Sequence, residues 1–283
     1  MSIVDYHVHY YLDKCASSDM TLPNIDDCSN KLGIKEVAVL KHYSHCMPNG
    51  EDDWANWHKI KPEQFERYLD EVRSYKSRFG IIFRTGVETE LLNTKGDINI
   101  PPEAQDRIDM VALSMHHMID MPKLPLDATH YPPHCSEGDP WIMEWDKKVR
   151  DLGAEYFVES IVEANCNAIK RFPKVKTLSH LNDGLYMLRD YRVPVEEIPD
   201  DTLVELMEPL MKCMAENDVL WEIGGQKIYR YAVLNRAKEL GVKFVPTGDA
   251  HFLGNGPCLN FSDHISLQKL MDEMGLPNGF IKF

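Results

Sequence analysis

His7 and His9 stand two residues apart in Ile3 to His9, an alternating stretch that predicts a short strand. At that spacing both imidazoles leave the same face. Further donors end other apolar runs. His42 follows EVAVLK, Glu88 lies in GVETE, His116 follows MVALSM, His180 follows KTLS, and Asp249 and His251 follow FVPT within GDAH. Imidazole nitrogens and carboxylate oxygens are natural ligands for zinc, manganese or iron. A single histidine at a strand end is more often a satisfied structural group than a ligand. Six histidines and two acids at one topological level are hard to explain by packing, and they predict a multinuclear metal site.

These donors need elements that bring them together. Glu36 to Leu40 predicts a buried strand, Gly80 to Leu92 contains a third, and Asp109 to Met115 a fourth. Val175 to Ser179, Val219 to Ile223 and Val242 to Thr247 continue the series. Between them the periodicity predicts helices over Asn24 to Leu32 (ended by Gly33), Pro62 to Arg78, Trp141 to Arg171, Asp201 to Asn217 and Tyr229 to Leu240, with Asp263 to Met274 closing the chain. In the second of these, Phe65, Tyr68, Leu69 and Val72 recur at helical spacing, and Pro62 suits the first turn. Pro122 to Pro140 reads as a long loop, of the kind that often carries function. Alternating strands and helices predict a parallel sheet with helices outside it. Roughly seven strands in one domain, 1–283, predict an α/β barrel. In such a barrel the C-terminal strand ends converge on one rim, where active sites are built.

The bulk composition narrows the partners. The chain carries 45 Asp and Glu against 31 Lys and Arg, a net charge of -14. A sequence-blind binder of long DNA or RNA must neutralise phosphates and is normally basic, so this balance argues against one. It is compatible with a small phosphorylated substrate, because bound cations reverse the local field. No stretch approaches the roughly 20 apolar residues of a membrane span. The start MSIVDYH lacks the features of a signal peptide. Seven cysteines without a CxxC pair argue against a disulfide framework, and reduced thiols predict a cytoplasmic setting.

DYHVH at 5–9, LKH at 40–42, GVETE at 86–90, SMH at 114–116, LSH at 178–180 and GDAH at 248–251 together resemble the PHP family, named for polymerase and histidinol phosphatase. The stretches span most of the chain in the family's order. The resemblance implies a distorted (β/α)7 TIM-like barrel with two or three divalent ions, zinc, manganese or iron. It implies that His7, His9, Glu88 and Asp249 hold one ion. Glu88 would bridge to a second, completed by His116 and His180, and His42 and His251 would serve a third. Two places depart from the pattern. Members similar to histidinol-phosphate phosphatase often have another histidine shortly after HxH, and here Cys15 falls near that place. Cys15 is a candidate thiolate ligand, Asp13 and Asp19 are alternatives, and an ordinary buried thiol is the plain reading. Lys41 stands where the family often has Asp.

The resemblance implies hydrolysis of phosphate esters, most simply of a small phosphorylated metabolite such as a histidinol phosphate-like compound. Metals neutralise the phosphoryl oxygens and lower the pKa of bound water, so the nucleophile is a bound hydroxide and no Ser or Cys nucleophile is needed. Glu88, as bridge, and Asp249 or His251, as proton carriers, are the catalytic candidates. Lys41, Arg230, Arg189, Lys227 and Lys123 are candidate phosphate clamps, although most basic side chains are merely solvated. His45 and His117 neighbour predicted ligands and are read as supporting groups. Two rivals share parts of the pattern. Amidohydrolase barrels also begin with HxH, but often carry a bridging Lys on strand four, and DMVALSM has none. A nucleotide phosphodiesterase or exonuclease would share the fold, and the absence of a basic, aromatic-interleaved stripe counts against long nucleic acid. A non-catalytic metal-binding protein would bind ions without turnover.

Overall fold

A computed structural model describes residues 3–43, 62–116, 118–119, 140–181, 185, 188–189, 191–224, 230–257 and 259–283. Seven strands run in one parallel sheet in chain order: β1 (Ile3–His9), β2 (Ile34–Tyr43), β3 (Ile82–Glu90), β4 (Met110–Ser114), β5 (Val175–Leu178), β6 (Leu220–Ile223) and β7 (Phe244–Pro246). The helices between them are α1 (Leu22–Leu32), α2 (Pro62–Ser74), α3 (Pro102–Gln105), α4 (Pro140–Arg171), α5 (Asp200–Glu216), α6 (Tyr231–Glu239) and α7 (His264–Met274). The first and last strands meet just beyond β7, where Val8 and Ala250 form a parallel bridge. The His9 amide donates to the Ala250 carbonyl at 2.9 Å, and the Ala250 amide to the His7 carbonyl at 3.2 Å. The result is the nearly closed (β/α)7 barrel that the alternation predicts.

Two apolar layers flank the strands. Val8, Val37, Val39, Val87 and Val111 pack outward with helix residues such as Ile25, Phe65, Leu69 and Val72. A smaller cluster of Val4, Tyr6, Ala38, Leu40, Met110, Ala112, Leu220 and Val245 comes from the opposite strand faces and fills the barrel interior. The inward faces change character toward the C-terminal ends. Leu40 is followed two residues on by His42, Gly86 by Glu88, and Leu220 by Glu222. The register pairs His42 with Glu88 and Glu88 with Ala112, so these groups lie at one level.

Gly86 shows how tightly the interior is filled. A Cβ there would come within 2.5 Å of Leu40 Cδ2 and 2.9 Å of Met110 Cγ. Tyr68, from α2, clamps the same point. Its hydroxyl donates to the Val39 or Gly86 carbonyl (2.6 and 2.7 Å) and accepts from the Gly86 amide.

Local structure differs from the periodicity in two instructive places. Trp141 to Arg171 is not one helix. Gly153 has φ 78° and ψ 161°, so α4 is two helices joined at a break that an L side chain would resist. β1 does not alternate strictly either. Its register slips between Asp5 and Val8, where three residues of β1 span two of β2. This bulge lets Tyr6 belong to the interior cluster while His7 and His9 also face inward, with Val8 turned to the helices. The Asp5 carboxylate secures it, accepting from the His7 amide at 3.0 Å and from the Gly248 amide at 3.2 Å. Burial pushes the Asp5 carboxyl up to about 8. The segment Pro122 to Pro140, read as a loop, falls outside the described residues except for Pro140, which opens α4. Among the described residues no helix is long and apolar enough to cross a membrane.

Candidate metal centre

Glu88 lies at the middle of the rim. The Nε2 atoms of five histidines surround its carboxylate: His42 at 2.8 Å, His180 at 3.1 Å, His116 at 3.2 Å, His9 at 3.3 Å and His7 at 3.5 Å. Both carboxylate oxygens are buried, yet neither has an aligned hydrogen-bond partner. His180 Nε2 and Asp249 Oδ1 are buried and orphaned in the same way. Buried polar atoms without partners are costly. Here four such atoms turn toward one another.

The tautomers explain why. His7 Nδ1 lies 2.8 Å from Glu222 Oε2. His116 Nδ1 lies 2.5 Å from Glu90 Oε1, and His9 Nδ1 3.2 Å from Asp13 Oδ2. A carboxylate can only accept, so each Nδ1 carries the proton and Nε2 is left as the ligand atom. The Nε2 lone pairs then face other acceptors. His7 Nε2 is 3.1 Å from His9 Nε2 and 3.2 Å from Asp249 Oδ1, and His9 Nε2 is also 3.2 Å from Asp249 Oδ1. Four ligands at 2.0–2.1 Å in a tetrahedron stand about 3.3 Å apart. The donor set and its spacing therefore fit divalent cations.

Among the described residues three groups bring their ligand atoms within 4.8 Å of one another: His7, Glu88, His180 and Asp249; His42, Glu88 and His116; and His9, Cys15, His42 and His251. The resemblance put His9 with His7 and His180 with His116, and these pairs do lie together, His7 and His9 on Glu88 Oε2 and His116 and His180 on Glu88 Oε1. His180 also comes close to His7, and His9 to Cys15. Backbone strain sets part of this arrangement. His180 (φ 38°) and Asp249 (φ 43°) occupy the left-handed region, which L side chains seldom adopt. His180 lies two residues beyond β5 and Asp249 three beyond β7, and each is turned back toward the pocket, an outlier of the kind that clusters at functional sites. His251 donates its Nδ1 proton to the Asp249 carbonyl at 2.8 Å.

Burial opposes charge on His116, His9, Glu88 and Cys15, and their neighbours overturn it. Desolvation lowers His116, but Glu90 and Glu88 carry it up to about 10. Desolvation and His42 lower His9, but Asp13, Asp249 and Glu88 raise it to about 9. Against burial, the imidazoles hold Glu88 well below the usual carboxylate range. Burial raises the Cys15 thiol, and contacts with His251 and His42 bring it down to about 6. Without cations the pocket thus stores protons that ligands must lose. Because the folded values of His9 and His116 exceed the unfolded value of 6.5, protons compete more strongly as pH falls, and cation affinity rises with pH. Zinc titrated calorimetrically at pH 7.5, in two buffers of different ionisation enthalpy, is expected to release about one proton or more per ion. Buffer-independent heats would show that these histidines do not ligate.

Lys41 is buried at the C-terminal end of β2 and ion-paired with Asp13, not on a rim loop. Arg230 pairs with Asp200 (2.5 Å) and donates to the Ile198 carbonyl (2.7 Å), tying α6 to the start of α5. Arg189 is exposed. Lys227, Lys123, His45 and His117 lie outside the described residues. Asp13 meets Lys41 and His9, whereas Asp19 is exposed.

Sequence reasoning passed over Glu222 and Glu90. A lone carboxylate in the apolar strand Val219 to Ile223 was the available signal, since an acid buried there needs a partner. Glu222→Gln should weaken metal affinity roughly 10- to 100-fold while the fold persists. A competition titration with a chromophoric chelator checks this, and unchanged affinity would leave Glu222 no orienting role.

No protein-family model matches the chain. A protein of Vibrio campbellii named "Probable phosphatase" is 25% identical over 284 residues, covering 96% of this chain and 85% of its own. The crystal structure of histidinol phosphate phosphatase from Lactococcus lactis, complexed with zinc, L-histidinol and phosphate, superposes with a TM-score of 0.59 at 13% identity, covering 98% of this chain and 95% of that one. A solved structure from Listeria monocytogenes gives a TM-score of 0.60 at 13% identity, over 87% and 94% of the two chains. The chain therefore has the barrel fold of the histidinol phosphate phosphatases, and the residues by which it resembles the PHP family meet in one pocket on the barrel's rim.

Proposed function

We propose that this chain is a metal-dependent phosphatase acting on a small phosphorylated metabolite. The observation that carries the reading is Glu88, whose buried, unpartnered oxygens face five imidazole nitrogens. The sequence similarity to a protein named as a phosphatase and the shared barrel fold support the choice of reaction.

His7, Glu88, His180 and Asp249 would hold one divalent ion, Glu88 would bridge to a second with His116, and His9, His42 and His251 would contribute to a third. When bound, such ions neutralise phosphoryl oxygens and lower the pKa of coordinated water. Glu222, Glu90 and Asp13 hold the Nδ1 protons of His7, His116 and His9, so each ring keeps one orientation. Asp249 or His251 would take a proton from water or give one to the leaving oxygen. The charges of Lys41 and Arg230 are already met by Asp13 and Asp200. Phosphate charge would thus fall chiefly on the pocket's cations.

The test is turnover of p-nitrophenyl phosphate with manganese or zinc, followed by a panel of phosphorylated metabolites that includes histidinol phosphate. A phosphodiester, an amide and a lactone in the same panel separate the rival chemistries. Metal-loaded protein inert toward every phosphomonoester would end the proposal.

A further inference from the structure

We propose that Cys15 is a direct thiolate ligand, so that the pocket contains one sulfur-bearing metal site beside sites built only of nitrogen and oxygen. This rests on the metal-centre reading above and assigns the character of one of its sites.

Cys15 lies on the turn after β1 and is half-buried. The turn is pinned so that Sγ faces the pocket. The Asp13 amide donates to the Tyr10 carbonyl at 2.8 Å, and the Ser17 amide to the His251 carbonyl at 2.9 Å. Sγ stands 3.6 Å from His42 Nδ1. With a bond of 2.3 Å to sulfur and 2.0–2.1 Å to nitrogen, a tetrahedral site separates the two ligand atoms by about 3.5 Å. One donor atom each of His9, His42, His251 and Cys15 falls within 4.8 Å of the others. The His9 ring lies 4.2 Å from that of His42 and 4.1 Å from that of His251. His42 presents Nδ1 to Cys15, with Asp13 Oδ2 3.7 Å from the same atom, and Nε2 to Glu88, at the join of the two environments.

The alternatives around the turn are committed elsewhere or turned away. Asp13 meets Lys41, His9 Nδ1 and the His42 amide. Asp19 is exposed.

Three imidazoles and a thiolate form a softer set than two imidazoles and two carboxylates. Soft ligands select zinc over manganese, whereas carboxylate-rich sites accept manganese. The chain should therefore keep about one zinc through manganese loading, a mixed-metal centre set by Cys15.

Cobalt(II) reports sulfur ligation directly, without turnover. Chelator-stripped full-length protein, reloaded with cobalt under anaerobic conditions, should show a near-ultraviolet sulfur-to-cobalt charge-transfer band. The band should vanish in Cys15→Ser, while the visible bands of nitrogen- and oxygen-bound cobalt remain. Zinc affinity of the same variant should fall roughly a hundredfold or more, since even a supporting group outside the ligand shell is worth 10- to 100-fold. Cys15→His should retain zinc without the band. Visible cobalt bands with no charge-transfer band, or a band that survives in Cys15→Ser, would overturn thiolate ligation and leave the metal centre standing. Failure of the wild-type chain to take up cobalt or zinc at all would overturn both.

Discussion

Glu88→Gln is expected to lose about a thousandfold or more in kcat/KM for any phosphomonoester the chain hydrolyses. Gln has the same shape, so packing in the β3 layer between His42 and Ala112 is retained. What disappears is one negative charge at the point where five imidazoles converge. An amide offers one weak acceptor oxygen and an NH2 group that repels a cation. Metal content should drop together with activity, because Glu88 belongs to two of the three ligand groups. Circular dichroism and thermal melting separate this from unfolding. A folded Glu88→Gln protein with unaltered turnover and full metal content would remove the bridging role. Glu88→Ala should be equally inactive, with a cavity added.

The second large effect is removal of the cations. Dialysis against a strong chelator should abolish turnover, and zinc or manganese should restore it. Stability should follow by mass action. A ligand bound only by the folded chain adds about 4 kcal/mol at a free concentration a thousand times its dissociation constant. For a chain of this size that corresponds to roughly 7 °C in Tm. The gain is credible because the pocket couples distant parts of the chain. Donors from β1, β2, β3 and the segments after β4, β5 and β7 share it, so a bound cation would tie the first strand to the segment after the last. Scanning calorimetry of the stripped and reloaded protein measures the shift. Equal melting temperatures with full activity would mean that no cation is held by these residues.

Much of this protein can be read along the chain. The apolar runs and their spacing predict seven strands with helices between them, and the donors His7, His9, His42, Glu88, His116, His180, Asp249 and His251 all sit near strand ends. These are local properties, since each depends on the period of a short segment and on the rule that parallel strands end on one rim. The supporting carboxylates are less legible. Glu222 and Glu90 reveal themselves only as buried acids in otherwise apolar stretches, and nothing in the spacing names their partners.

What tertiary structure alone decides is which groups touch. The bulge between Asp5 and Val8 changes the parity of β1 and so determines how His7 and His9 enter the pocket. Closure at Val8 and Ala250 brings residues 242 positions apart into one bridge and sets Asp249 and His251 beside the first strand. The left-handed turns at His180 and Asp249 redirect two side chains against local preference. Lys41, which by sequence was free to reach a substrate, is ion-paired with Asp13 at the end of β2. Residue types along one chain determine that cations can be held. Register, closure and strain determine which atoms share each one, because those depend on strands that meet only after folding.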